Sequence, residues 1–143
     1  MGYDSDSMSG KNHALISRFF AELTLGTLSD ELLADDMTVW SSSSGSLGAA
    51  KAKYRFAVTL LQSLFPAGLA YQVLSLTAEE DRVAAEVLAR GTLTNGERYE
   101  NSYVFMFRVR GAQIASIAEH FNVLTVQAKI MPLMAAALAQ RPA

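Results

Sequence analysis

YENSYVFMFRVRGAQIASIAEHFNVL, residues 99–124, is the stretch that decides the fold. Side chains two apart on an extended chain share a face. The odd positions Tyr99, Asn101, Tyr103, Phe105, Phe107 and Val109 form one largely apolar face, while the even ones set Val104 and Met106 beside Glu100, Ser102 and Arg108. Arg110-Gly111 is a hairpin signal, and Gln113 to Leu124 resumes the extended pattern. The reading is two long antiparallel strands, apolar on one face and partly apolar on the other. An outer face of that kind left in water would be a partner surface, so a homodimer through the outer face of the sheet is expected.

Working upstream, Leu69 to Thr77 and Arg82 to Leu93 carry the same strand composition, and Asn95-Gly96 marks a further hairpin. Four strands in succession predict an antiparallel meander. Before them the period changes. Leu15, Ile16, Phe19, Phe20 and Leu23 lie on one face of a helix starting near Asn12 and ended by Gly26. Thr27 and Ser29 can cap a short second helix carrying Leu28, Leu32 and Leu33, with Asp30 and Glu31 early, where the helix dipole favours acids. Met37 to Ser41 reads as a brief strand and Ser41 to Gly48 as a loop. Ala49 to Phe65 is a third helix with Tyr54, Ala57, Val58, Leu61, Leu64 and Phe65 at helical spacing, stopped by Pro66 and Gly68. Helices first and meander last make an α+β arrangement, with the helices covering one face of a curved sheet.

Composition narrows the function classes. The 143 residues suit one domain, expected over 11–127, with a disordered Ser-rich tail over 1–10 and a tail or short helix over 128–143. No apolar run approaches the ~18 to 20 residues of a membrane helix, so no membrane partner is expected. A formal charge of −2 with no basic stripe excludes the electrostatic footprint of a nucleic-acid binder. The absence of cysteine removes disulfides, thiolate nucleophiles and thiolate metal sites. His13 and His120 alone make no metal-ligand pattern, so neither metal nor cofactor is expected. Met1 to Gly10 lacks the pattern of a signal peptide, and a cytoplasmic location is the expectation.

The segment FRVRGAQIASIAEHFNVL, residues 107–124, resembles the last hairpin of SnoaL-like and limonene epoxide hydrolase-like proteins of the NTF2-like superfamily. Their last strand carries patterns such as E-H-W-D-V-L, against Glu119, His120, Phe121, Asn122, Val123 and Leu124 here. NGERYENSYVFMF, residues 95–107, and the order of helices and strands fit the same families over roughly Asn12 to Gln127. The resemblance implies an NTF2-like cone, also called a cystatin-like α+β barrel. Its N-terminal helices pack on a curved antiparallel sheet and enclose a pocket for a hydrophobic small molecule. Fold alone does not assign chemistry. Acid/base catalysis by an isomerase, cyclase or hydrolase on a polycyclic, terpenoid or polyketide-like substrate stands beside a non-catalytic binding role or a dimeric interaction module.

The residues supply the candidates. Glu119 sits between Ile117 and Phe121 on one strand face, an acid in apolar company, where burial raises a pKa toward the working range of a general acid or base. It falls where the hydrolase-like proteins carry a catalytic acid; pairing with an arginine at the sheet rim is the alternative. Glu86, between Ala84 and Leu88, resembles the position of the second acid. The family's arginine two residues earlier is Ala84 here, leaving Arg55, Arg82 or Arg90 to reach in. Tyr103 can donate a hydrogen bond to an oxyanion or stand as a core residue with its hydroxyl at the rim. Where ketosteroid isomerases hold a base, the chain has Trp40, Ser41 and Ser42, and Asn122 replaces an aspartate. His120 lies opposite Glu119 by parity, on the side of the dimer interface. Phe19, Trp40, Tyr54, Val58, Leu88, Asn101, Phe105, Ile117 and Phe121 complete the expected pocket wall.

Overall fold

A computed structural model describes residues 7–140. Its elements are α1 (Met8–Leu25), a single 3-10 turn (Asp30–Leu32), β1 (Leu33–Ser41), β2 (Gly45–Ala49) and α2 (Lys51–Ser63), followed by β3 (Ala70–Glu79), β4 (Arg82–Thr92), β5 (Arg98–Arg110) and β6 (Gln113–Phe121), and finally α3 (Val123–Lys129) and α4 (Met131–Ala139).

Helix α1 begins earlier than its apolar spacing indicates. The Ser7 hydroxyl caps it by accepting from the Gly10 N–H at 3.0 Å. Residues 8–10 of the expected tail are therefore helical, and residues 1–6 lie outside the described residues. At the other end Gly26, at φ 80, closes the helix in the left-handed conformation that glycine adopts without penalty. The expected second helix shrinks to the 3-10 turn, because Leu33 already begins β1 and pairs with Ile114. The Ser/Gly tract read as a loop holds a short strand, β2, which folds back on β1 after a turn at residues 42–44. The C-terminal stretch divides into two short helices, with Pro132 in the first turn of α4, where its missing N–H costs nothing.

The four long strands form the expected meander, but the sheet as a whole is mixed. Its order is β2-β1-β6-β5-β4-β3, with β1 running parallel to β6 and every other pair antiparallel. Register shifts at Val39/Trp40, Val73/Ser75 and Arg108/Val109 mark irregularities of the kind that bend and twist a strand, and the sheet curves into an open cone.

Strand β5 alternates without exception: its odd residues from Tyr99 to Val109 are buried and its even ones exposed. The concave face is filled in one half by α1. Phe19 and Phe20 meet Phe105 and Phe107 edge to face at centroid separations of 5.0 to 6.2 Å. The other half, beneath α2, α3 and α4, is left hollow.

Candidate functional site

The hollow is a cavity of about 210 Å³. Its floor is the concave sheet, represented by Val39, Tyr71, Tyr99, Tyr103, Glu119 and Phe121. Tyr54, Ala57, Val58 and Leu61 of α2 form one side, and Val126, Ile130, Met131 and Met134 of the C-terminal helices form another. Ser41, Ser43, Ser44 and Leu47, around the β1–β2 turn, complete the lining.

Among the expected site residues, Glu119, Tyr103, Tyr54, Val58 and Phe121 meet in this wall. Others sit elsewhere, each for a structural reason. Phe19, Phe105 and Ile117 are 0%, 1% and 1% exposed, packed on the α1 side of the sheet rather than along the cavity. Asn101 points inward but lies behind the wall. Trp40, Leu88 and Glu86 have the parity of the convex face: Trp40 is exposed and its ring lies tilted against that of His120 at a centroid separation of 4.7 Å, so the exposed His120 also lies outside the cavity.

Glu86 is a correction with consequences for chemistry. On β4 the inward residues are Val83, Ala85, Val87 and Ala89, which leaves Glu86 exposed, accepting a hydrogen bond from the Ser75 hydroxyl at 2.8 Å. The two carboxylates expected to share a pocket stand on opposite faces of the sheet. No arginine repairs the hydrolase pattern either. Arg55 donates to the Leu28 carbonyl and pairs with Asp30, Arg90 pairs with Glu100, and Arg82 is exposed. Among the described residues, no lysine, arginine or histidine lines the cavity.

Among the described residues, Glu119 is thus the one carboxyl in an apolar wall. Its strand is held on both sides: Glu119 pairs with Phe105 of β5 and Ser41 of β1. The Ser42 N–H donates to the Glu119 carbonyl at 3.0 Å, and the Ser42 hydroxyl accepts from the Phe121 N–H at 3.1 Å. Burial disfavours the charged carboxylate and raises its pKa from the ordinary 4.5 to about 7, while a hydrogen bond with Tyr54 acts in the opposite direction. Burial also pushes the phenols of Tyr54, Tyr71 and Tyr103 well above their ordinary value, the negative charge of Glu119 adding to the effect, so they remain neutral O–H groups near neutral pH.

Tyr71 is wall that the sequence does not mark, and the C-terminal stretch, expected as a tail or short helix, supplies wall through two helices. The alternation of Ala70 to Val73 carries Tyr71 inward, but the bulge at Leu74 shifts the parity of β3, obscuring which of its residues face in. Tyr99 shares the inward parity of Tyr103, and its hydroxyl lies 2.7 Å from that of Tyr103. Asn122 stands where the resembling families carry an acid, and its role is structural. Its Oδ1 accepts from the Leu124 and Thr125 N–H groups and caps α3.

The arrangement offers one proton-exchanging carboxyl, several neutral hydroxyl donors and a largely apolar surround. Known proteins point to the same architecture. The family model for the SnoaL-like domain matches residues 16–117, well over half of the chain. No curated protein matches it in sequence. Among solved structures, an NTF2-like protein from Anabaena variabilis is 25% identical, with a TM-score of 0.72 over 85% of this chain and 94% of its own. A protein from Jannaschia sp. CCS1 described as a SnoaL-like polyketide cyclase is 19% identical, with a TM-score of 0.73 over 90% of this chain and 97% of its own. An epoxide hydrolase of the limonene epoxide hydrolase-like type from M. tuberculosis is 13% identical, with a TM-score of 0.71 over 94% of this chain and 100% of its own. At such identities the structures speak for the fold alone, an NTF2-like α+β cone, and the family match for the rest: the chain belongs to the SnoaL-like domain family.

Proposed function

We propose that the protein is a cofactor-independent acid/base catalyst acting on a hydrophobic carbonyl compound, of polycyclic or polyketide-like character, held in the cavity beneath α2 and α4. The observation that carries this reading is Glu119: a single carboxyl with a pKa of about 7 in an apolar wall, beside phenolic donors. As a carboxylate it takes a proton from the carbon next to the carbonyl. The electron pair of the broken C–H bond moves to the carbonyl oxygen, and the hydroxyl of Tyr103 stabilises the enolate so formed. Return of the proton from Glu119 to another carbon is an isomerisation; attack of the enolate carbon on a second carbonyl of the same molecule, whose oxygen then takes the proton back from Glu119, is a cyclisation.

Epoxide opening is disfavoured because the second acid and the arginine lie outside the cavity. Replacement of Glu86 by Gln is therefore expected to leave turnover unchanged and stability within about 0.5 kcal/mol of the parent. A rate loss comparable to that of a Glu119 variant would return Glu86 to the site. The test of the main reading is deuterium uptake from D2O into a panel of enolisable bicyclic ketones, followed by proton NMR. Uptake above the buffer rate supports catalysis. Ketones that bind without exchange would favour the alternative of a hydrophobic ligand carrier, for which the lack of a cation or second acid in the wall among the described residues is the motivating observation.

The convex face supports a homodimer. Trp40, Val104 and Met106 are 37%, 41% and 38% exposed on it, an apolar strip suited to a second copy of the same sheet. Sedimentation at micromolar concentration is expected to show a dimer, and Val104→Glu with Met106→Glu a monomer. A monomeric parent would remove the interface. Among the described residues no helix is long and apolar enough to cross a membrane, and a cytoplasmic location accompanies this reading.

A further inference from the structure

Behind the cavity wall, Asn101 fixes the sense of a hydrogen-bond chain. Its Oδ1 accepts from the Asn122 N–H at 3.2 Å, which settles which end of the side-chain amide is the donor. Its Nδ2 donates to the Asn122 carbonyl at 3.1 Å and to the Tyr99 hydroxyl oxygen at 3.1 Å. An amide nitrogen only donates, so at this contact the Tyr99 oxygen is an acceptor.

Tyr99 borders the cavity floor but is 0% exposed, so its hydroxyl hydrogen needs a partner within the protein. Among the described residues the Tyr103 oxygen, 2.7 Å away, is the acceptor within hydrogen-bond reach. Were Tyr103 the donor of that pair, the Tyr99 hydrogen would be buried without a partner, the costly alternative. Tyr99 therefore donates to Tyr103. The hydrogen of Tyr103 is left outside the chain, on a residue of the cavity wall, with no protein acceptor among the described residues. A donor so placed is completed by an oxygen of the ligand. Donors upstream strengthen it, since each hydrogen bond in a chain polarises the next by about 10–30%.

We infer that Asn101 and Tyr99 are positioning residues that aim the Tyr103 O–H into the cavity, so that the site selects ligands bearing a bare oxygen acceptor, a carbonyl or its enolate, over hydrocarbons of the same shape. The ligand class rests on the carbonyl chemistry proposed above; the direction of the chain does not. Asn101 acts at a distance from any ligand: it touches Tyr99 and the cap of α3, not the cavity.

The direction is read in the free protein by NMR with ring-labelled tyrosine. Of the Tyr99–Tyr103 pair, one slowly exchanging hydroxyl proton is expected, correlated to the ring carbons of Tyr99. A slow proton correlated to Tyr103, or none on either ring, overturns the inference. The selection is read by calorimetry with two probes of one shape, 2-tetralone and tetralin. The ketone is expected to bind several-fold more tightly. Tyr103→Phe should erase that preference, and Tyr99→Phe should reduce it, with tetralin affinity unchanged in both. Equal affinity for the two probes in the parent, no binding of either, or a Tyr99→Phe variant with the full preference, overturns it. Neither readout passes through proton transfer at Glu119, so a failure of the catalytic reading alone leaves these results standing.

Discussion

Glu119→Gln is expected to reduce proton transfer by about 10² to 10⁴-fold while leaving ligand affinity within a few-fold of the parent. The substitution keeps the shape of the side chain and the strand pairings with Phe105 and Ser41. It removes the one carboxyl among the described cavity residues, whose burial places proton exchange near neutral pH. In the parent, the rate of the step that uses the carboxylate should rise with pH and level off above about 7, the value to which burial raises this carboxyl. A variant as active as the parent would end the catalytic assignment.

The same residue ties stability to pH with a definite sign. Between the ordinary carboxylate value of 4.5 and about 7, the folded protein holds a proton on Glu119 that the unfolded chain releases. Folding is therefore favoured below this window, and the advantage is lost as pH rises through it. The full shift corresponds to an upper limit of roughly 3 kcal/mol, reduced to the extent that water enters the cavity. Asp30 and Asp36, held below their ordinary value by Lys51 and Arg110 respectively, titrate beneath the window and do not mask it. Urea midpoints at pH 5 and pH 8 should therefore differ in the parent, and less so in Glu119→Gln. Equal pH dependence in the two proteins would show that Glu119 ionises in water.

Phe105→Ala is the largest expected stability effect, about 3–5 kcal/mol. Phe105 is 1% exposed and touches Phe19, Phe20, Tyr103 and Phe107 through ring contacts. A loss of this size consumes much of the roughly 5–15 kcal/mol that holds a typical domain folded. Denaturant titration measures it. Phe121→Ala, in the cavity wall and half-buried, should cost less stability and weaken ligand binding more. The reverse ranking would place Phe105 in the wall and Phe121 in the core.

That contrast shows what can be read from residues alone. Strict alternation in β5 and the aromatic composition of α1 announce the helix-on-sheet core, because period and composition are local properties. The inward face of β6 is also legible, hence Glu119. Parity assigns faces only relative to one another, and for Glu86 it suggests the wrong one. Its own-face neighbours Ala84 and Leu88 are half-buried on the convex side, whereas Val83, Ala85, Val87 and Ala89 face the core. Tyr71 stays hidden because a single bulge reverses the parity within β3. The parallel pairing of β1 with β6 leaves no local trace, since it depends on how distant segments meet.

This parallel pairing sets the order in which the molecule can be completed. Strand β6 carries Glu119 between β5, its hairpin partner, and β1, which pairs with it from Leu33–Ile114 to Ser41–Glu119; the adjoining Ser42 bonds Glu119 at a sequence separation of 77. Contacts of long sequence separation carry the entropic cost of closing a large loop before they contribute stability, and they form slowly. The β3 to β6 meander can assemble from neighbours, but the cavity floor exists only once the first strand has returned to the last. On a ribosome, the site is therefore finished only after β6 has emerged and met β1.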